Sequence, residues 1–365
     1  MHSVYIHIPF CKTICSYCDF CKNLYDLGKV KEYLLALEKE MKSSYQNELI
    51  KTLYIGGGTP SVLSLSELEY LFQILDIFRK DPNLEFTFEC NIENITEEKL
   101  LFLYQKGVNR LSIGVQTSHN QYLSFLNRNH TKEEIIQKIE MAKKIGFTNI
   151  NIDFIYAFPL ETIEEVEDDL TFFLSLNVNH ISTYSLMIEP HTLLYIQRVK
   201  SICEEMDALM YQKICDVLKE NGYVHYEISN FAKEGYASRH NLTYWNNDPY
   251  YGFGMGACGY AHSIRYENTK SLSSYLKGNY ILNKENVTRK EMIENEYILG
   301  FRKMKGISKK RFQEKYGISM KENKIIQRLL KEKRILENEE YIYVNPKDIY
   351  IMNAFLLEFL EEEGS

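Results

Sequence analysis

The chain has 365 residues, 45% apolar and 25% charged, which fits a globular protein of two or three domains with ample core. Its net charge of −7, with no basic run denser than Lys309-Lys310-Arg311, argues against a partner held through nucleic-acid phosphates. No apolar stretch approaches the ~18 residues that span a bilayer, and the start lacks the order of a signal peptide. A cytoplasmic protein is expected, and its eight cysteines are then no disulfide framework.

Runs of β-branched and aromatic residues predict strands at 4–8, 52–55, 85–89, 110–115, 149–157 and 180–188. Helical spacing lies between them. Val30, Tyr33, Leu34, Leu37 and Met41 share one stripe, and Leu68, Leu71, Phe72, Leu75 and Phe78 another. Thr131 with Glu134, and Thr162 with Glu165, read as capping boxes at two more helix starts. Several strands read as apolar on both faces. Six βα units predict an α/β fold, an incomplete and open-sided (β/α)6 TIM-like barrel over residues 1–195. Ligands of such barrels sit where strands end. There the chain places Cys11, the run Gly56-Gly57-Gly58-Thr59-Pro60, Glu89 and Gln116, with Asp153 inside strand five.

The pattern then changes to a C-terminal α+β region. Residues 196–287 hold a helix near 200–221 and a Gly- and aromatic-rich stretch from 223 to 260. Residues 288–365 read as a winged-helix-like module with a strand pair at 334–336 and 341–344, closed by a frayed acidic tail at 361–365.

Four cysteines crowd into residues 11–21. Cys11-x-x-x-Cys15-x-x-Cys18 wraps three thiolates around one short loop, and thiolates are the usual ligands of iron–sulfur clusters. Three ligands leave one iron of a [4Fe–4S] cubane open. That iron can chelate the amino and carboxylate groups of S-adenosylmethionine (SAM), and one electron then breaks the sulfonium bond. The alternative is a zinc site with Cys21 as fourth ligand. Tyr17 is a stacking platform for adenine or a shield for the cluster. Cys90, Cys203, Cys215 and Cys258 read as small buried hydrophobes.

His7-Ile8-Pro9-Phe10-Cys11 through Cys18-Asp19-Phe20 resembles the coproporphyrinogen oxidase branch of the radical SAM superfamily, and within it the HemW-type haem chaperones. The resemblance runs from Tyr5 to about residue 316. It implies that Gly57, Gly58 and Thr59 of the GGGTPS loop contact SAM, together with Tyr5, Tyr17, Glu89, Gln116, Arg128 and Asp153. Arg110-Leu111-Ser112-Ile113-Gly114-Val115-Gln116 matches the strand-four signature. The chain departs from the family at Ile92, where Pro is usual, and at Ala157 and Cys258.

Two features separate the branches. The oxidases carry an N-terminal arm and a fourth Cys where this chain has Phe20. The chaperone-type group carries His240-Asn241-Leu242-Thr243-Tyr244-Trp245. Imidazole is a good axial ligand to haem iron, so His240 is the haem candidate, against a role in packing the loop on the barrel. The implied cofactors are a [4Fe–4S] cluster, SAM and haem. The implied partners are haem or a porphyrinogen, a haem-acceptor protein such as a membrane-associated one, and a flavodoxin- or ferredoxin-type electron donor. The competing enzyme reading is oxygen-independent oxidation of coproporphyrinogen III.

Overall fold

Strand β1 (Ser3–Ile8) is followed by β2 (Ile50–Gly57), β3 (Lys80–Asn91), β4 (Arg110–Gln116), β5 (Asn149–Tyr156) and β6 (His180–Ser185) in a computed structural model that describes residues 2–360. Each strand pairs with the next in parallel. Helices α1 (Leu27–Ser44), α2 (Leu65–Ile74), α3 (Glu97–Gln105), α4 (Lys132–Ile145) and α5 (Ile163–Ser175) form the crossovers. Residues 361–365, expected as a tail, lie outside the described residues.

The helices begin where the sequence says they should. Thr131 and Thr162 cap α4 and α5 in capping boxes with Glu134 and Glu165. Ser64 with Glu67 makes a third box at α2. The apolar stripes Leu34, Leu37, Leu68, Leu71, Ile135 and Ile139 are buried against Ile6, Leu53, Ile55, Phe88 and Ile113 of the sheet. Each such Leu or Ile contributes roughly 1.5–3 kcal/mol of burial.

The sheet is not apolar on both faces, contrary to expectation. The alternate residues Tyr54, Glu89, Arg110, Ser112, Asn151, Asp153 and Ser182 line the barrel interior. A period of two puts one apolar face under the helices and leaves a polar face for ligand. The sixth strand stops at Ser185, three residues short of expectation, because the chain turns there and the Leu186 amide bonds Tyr156 O at 2.8 Å.

The barrel does not close. The free edge of β1 takes the segment Tyr250–Phe253 in parallel, and the free edge of β6 takes Asn230–Ala232 antiparallel. The Gly- and aromatic-rich stretch therefore supplies strands to both edges of one 12-stranded sheet. After α6 (Glu204–Glu220), the short helix α7 (Arg239–Trp245) seals the end of the barrel opposite the strand C-termini. The amides of Arg239 and His240 donate to Glu85, and the Arg239 guanidinium donates to the carbonyls of Asn83 and Lys51.

The last part has its own core of Phe301, Phe312, Ile326, Leu329 and Ile342. Helices α8 (Arg289–Gly300), α9 (Lys309–Tyr316) and α10 (Lys324–Lys331) pack on three short antiparallel strands, Ile307–Ser308, Tyr341–Val344 and Ile335–Glu337. The first of these strands was not legible in the sequence, being two residues long. The part is tied to the barrel by Ile228 N to Arg302 O, 3.0 Å, and by the Arg311–Asp248 ion pair, 2.5 Å. Among the described residues no helix is long and apolar enough to cross a membrane.

Candidate functional site

The strand C-termini open into a cavity of about 290 Å³. Cys11, Cys15 and Cys18 line one side of it, and all three are free thiols. Their loop is pinned at several points. Ser16 N and Oγ donate to the carbonyls of Leu126 and Phe125 at 3.1 and 2.7 Å. Asn127 Nδ2 reaches Ile14 O at 2.9 Å, and Lys22 Nζ reaches Cys18 O at 2.5 Å. Burial pushes the Cys11 thiol up to about 11, so a thiolate there needs positive charge beside it.

The glycine loop packs directly under the first cysteine. Gly58 N donates to Ile8 O at 2.9 Å, and Thr59 N to Phe10 O at 2.8 Å. A Cβ on Gly58 would lie 3.0 Å from Cys11 Sγ and 2.9 Å from Phe10 O. Thr59 Oγ1 sits 3.5 Å from Cys11 Sγ and accepts from Asn91 Nδ2 at 3.0 Å.

The charged groups stand beside the thiols and the glycine loop. Tyr54 donates to Glu89 Oε1 at 2.7 Å, and Gly57 N to Glu89 Oε2 at 3.0 Å. Burial raises Glu89 to about 7 and Asp153 to about 6. Asp153 Oδ1 accepts from Asn151 Nδ2 at 2.9 Å. Arg128 donates to Glu93 and to Gly114 O, both at 3.0 Å, and its Nη1 lies 3.8 Å from Cys15 Sγ. Gln116 has φ of +74° at a register shift between β4 and β5, which turns it into the cavity.

The donor set suits a cluster better than a single ion. Among the described residues no three His, Cys, Asp or Glu side chains converge tightly enough to hold one metal ion. Ligands of a cubane stand further apart, each on its own iron, whereas tetrahedral zinc draws four sulfurs onto one centre. Cys21, the proposed fourth zinc ligand, does not line the cavity. Its thiol points instead toward Lys270 O, 3.9 Å away. The zinc alternative therefore does not fit.

Residues 5–173 match the family model described as the radical SAM superfamily. A Lactococcus lactis protein named heme chaperone HemW is 39% identical over 372 residues, covering 99% of this chain and 98% of its own length. The chain belongs to the HemW family. A Bacillus subtilis protein of the same name is 40% identical, over 99% of this chain and all of its own. The structure of coproporphyrinogen III oxidase (HemN) from Escherichia coli superposes with a TM-score of 0.86 at 23% identity, covering 98% of this chain and 89% of that one. That likeness concerns the fold alone.

Of the residues expected at a SAM pocket in this HemW-family chain, Tyr17, Gly57, Gly58, Thr59, Glu89, Gln116, Arg128 and Asp153 line the one cavity. Tyr5 does not. Its hydroxyl bonds His7 Nδ1 at 3.0 Å, one layer behind Tyr54.

His240 is a correction. It is 1% exposed, and both ring nitrogens are engaged, Nδ1 with Thr52 Oγ1 at 2.9 Å and Nε2 with the Tyr244 hydroxyl at 2.8 Å. No lone pair is left for iron, so the geometry is that of a packing residue. Two of the cysteines read as buried are exposed as well: Cys203, which precedes α6, and Cys258.

Tyr54, Asn91, Arg110 and Asn241 also line the cavity, outside the set of residues that the sequence points to. Strand parity would have found Arg110, six residues before Gln116 on β4. Nothing in the sequence places Asn241 there, because α7 reaches the cavity only through the tertiary fold.

Proposed function

We propose that this chain is a haem chaperone of the radical SAM type, which binds haem and passes it to an acceptor protein in the cytoplasm or at the membrane. What supports the reading is the convergence of three free thiols, Glu89, Gln116, Arg128 and Asp153 on one cavity in a chain of the HemW family. In this reading Cys11, Cys15 and Cys18 hold a [4Fe–4S] cluster. Such a cluster supplies an open iron and a single electron to SAM. Arg128 beside Cys15 offsets thiolate charge. The Gly57–Gly58 backbone lets a ligand approach closely, and Glu89 and Asp153 accept from its ammonium and hydroxyl groups.

The test is an anaerobic titration of reconstituted chain with haem, followed in the Soret band, then mixing with an apo-haem protein. Stoichiometric binding and transfer are expected. A parallel incubation with SAM, dithionite and coproporphyrinogen III is expected to yield no protoporphyrinogen. Product there, without haem transfer, replaces the chaperone reading by the oxidase one.

A further inference from the structure

The floor of the cavity holds a guanidinium that no protein group hydrogen-bonds. Arg110 lines the cavity, is 2% exposed, and its Nε has no hydrogen-bond partner. Among the described residues its guanidinium makes no hydrogen bond or ion pair. Buried guanidinium groups are normally paired, because desolvating one alone is costly. Burial pushes Glu89 and Asp153 in the same cavity upward while the charge of Arg110 lowers both, yet neither carboxylate hydrogen-bonds the guanidinium: Glu89 is held by Tyr54 and Gly57, and Asp153 by Asn151.

Asn241 is the second uncommitted group. It lines the same cavity, and its side-chain amide makes no hydrogen bond to the protein among the described residues. The neighbouring polar group is different. Asn151 is saturated by Ser112, Asp153, Ser182 and His180. His240 locks α7 in place, and that locking presents Asn241 to the cavity from below.

The rest of the lining is graded. Phe20 and Met187 line the cavity and are 62% and 66% exposed, with Leu186 and Ile155 behind them. Apolar side chains crowd the mouth, beside Asp19 and Glu189, and the unbonded guanidinium of Arg110 stands at the floor beside Glu89 and Asp153. An amphiphile with a flat apolar body and carboxylate arms matches that gradient.

We infer that Arg110 and Asn241 form a carboxylate-recognition site, taking a propionate arm of a tetrapyrrole whose ring rests against Phe20 and Met187. A guanidinium supplies two parallel N–H donors to a carboxylate, and an amide N–H adds a third. The inference rests on the haem-binding reading above and names the residues that carry it. The same chemistry has a second source, the amino-acid carboxylate of SAM.

The experiment titrates the full reconstituted chain with haem and with haem dimethyl ester, in wild type and Arg110→Gln, and measures SAM binding separately. A charge-assisted pair makes haem bind roughly tenfold or more tighter than its ester to wild type. Arg110→Gln should abolish that difference and leave the ester's affinity unchanged, while Arg110→Lys restores part of it. Asn241→Ala should reduce the difference without removing it. Circular dichroism of each variant reports folding, and the wild-type comparison of haem with its ester needs no variant. Equal affinity for haem and ester in wild type overturns the inference but leaves haem binding standing. Loss of SAM binding in Arg110→Gln, with the haem preference intact, assigns the carboxylate to SAM and overturns it too. Failure of haem to bind wild type at all strikes the proposed function itself.

Discussion

His240 Nδ1 lies 2.9 Å from Thr52 Oγ1 on β2, which ties α7 to the barrel floor. Burial, followed by the charge of Arg110, lowers this imidazole to about 3, so it is neutral at any ordinary pH. Replacing it by Ala leaves the Thr52 and Tyr244 hydroxyls without partners and opens a cavity. We expect His240→Ala to cost about 2–4 kcal/mol of stability. A chemical-denaturation curve checks this. The axial-ligand signature of bound haem should be unchanged in the folded fraction, and a lost signature would return His240 to the ligand list.

The cysteines divide cleanly. Cys15→Ser removes a thiol facing the cavity, and Cys21→Ser removes one facing Lys270. Iron and acid-labile sulfide per chain after anaerobic reconstitution should fall sharply in the first and stay at the wild-type level in the second. A loss of iron in Cys21→Ser would reopen the four-thiolate site.

Gly58 is a packing constraint on the cluster loop. An added methyl meets Cys11 Sγ and two backbone carbonyls at 3.0 Å or less. Backbone cannot yield as a flexible side chain does. Gly58→Ala should therefore lower cluster occupancy well below wild type while the thermal midpoint falls by only a few degrees. Wild-type iron and sulfide content in this variant would show that the loop tolerates displacement.

Glu161 gives a pH dependence away from the cavity. It is buried, and Phe158 N donates to its Oε2 at 3.0 Å while Oε1 has no partner. Burial, with Asp169 nearby, raises it to about 8. Its unfolded value is about 4.3, so the folded state holds a proton that the unfolded state releases. The stability this contributes is fully present below about 4.3 and is lost as pH rises through about 8. Glu161→Gln removes the slope. Thermal midpoints between about pH 5 and 9 should decline less in the variant than in wild type, and parallel declines would refute the assignment.

Much of this protein is legible in its sequence. The three-two cysteine spacing, the glycine loop, the positions of Glu89 and Gln116 at strand ends and that of Asp153 within its strand are local features. Strand period and helix caps are local too, since they depend on neighbours within one turn or one pleat. That is why the six βα units and both expected capping boxes are found where the sequence places them.

The tertiary structure decided the rest. Which strands cover the free edges of β1 and β6 depends on pairing across more than 40 residues of chain, and no periodicity records a pairing partner. The motif around His240 shows the same limit. Its residue types suit a haem ligand, but only the fold engages both imidazole nitrogens and turns the neighbouring Asn241 into the cavity. A side chain's chemistry is written in its identity. Whether that chemistry is free to act depends on which hydrogen-bond partners the fold brings to it.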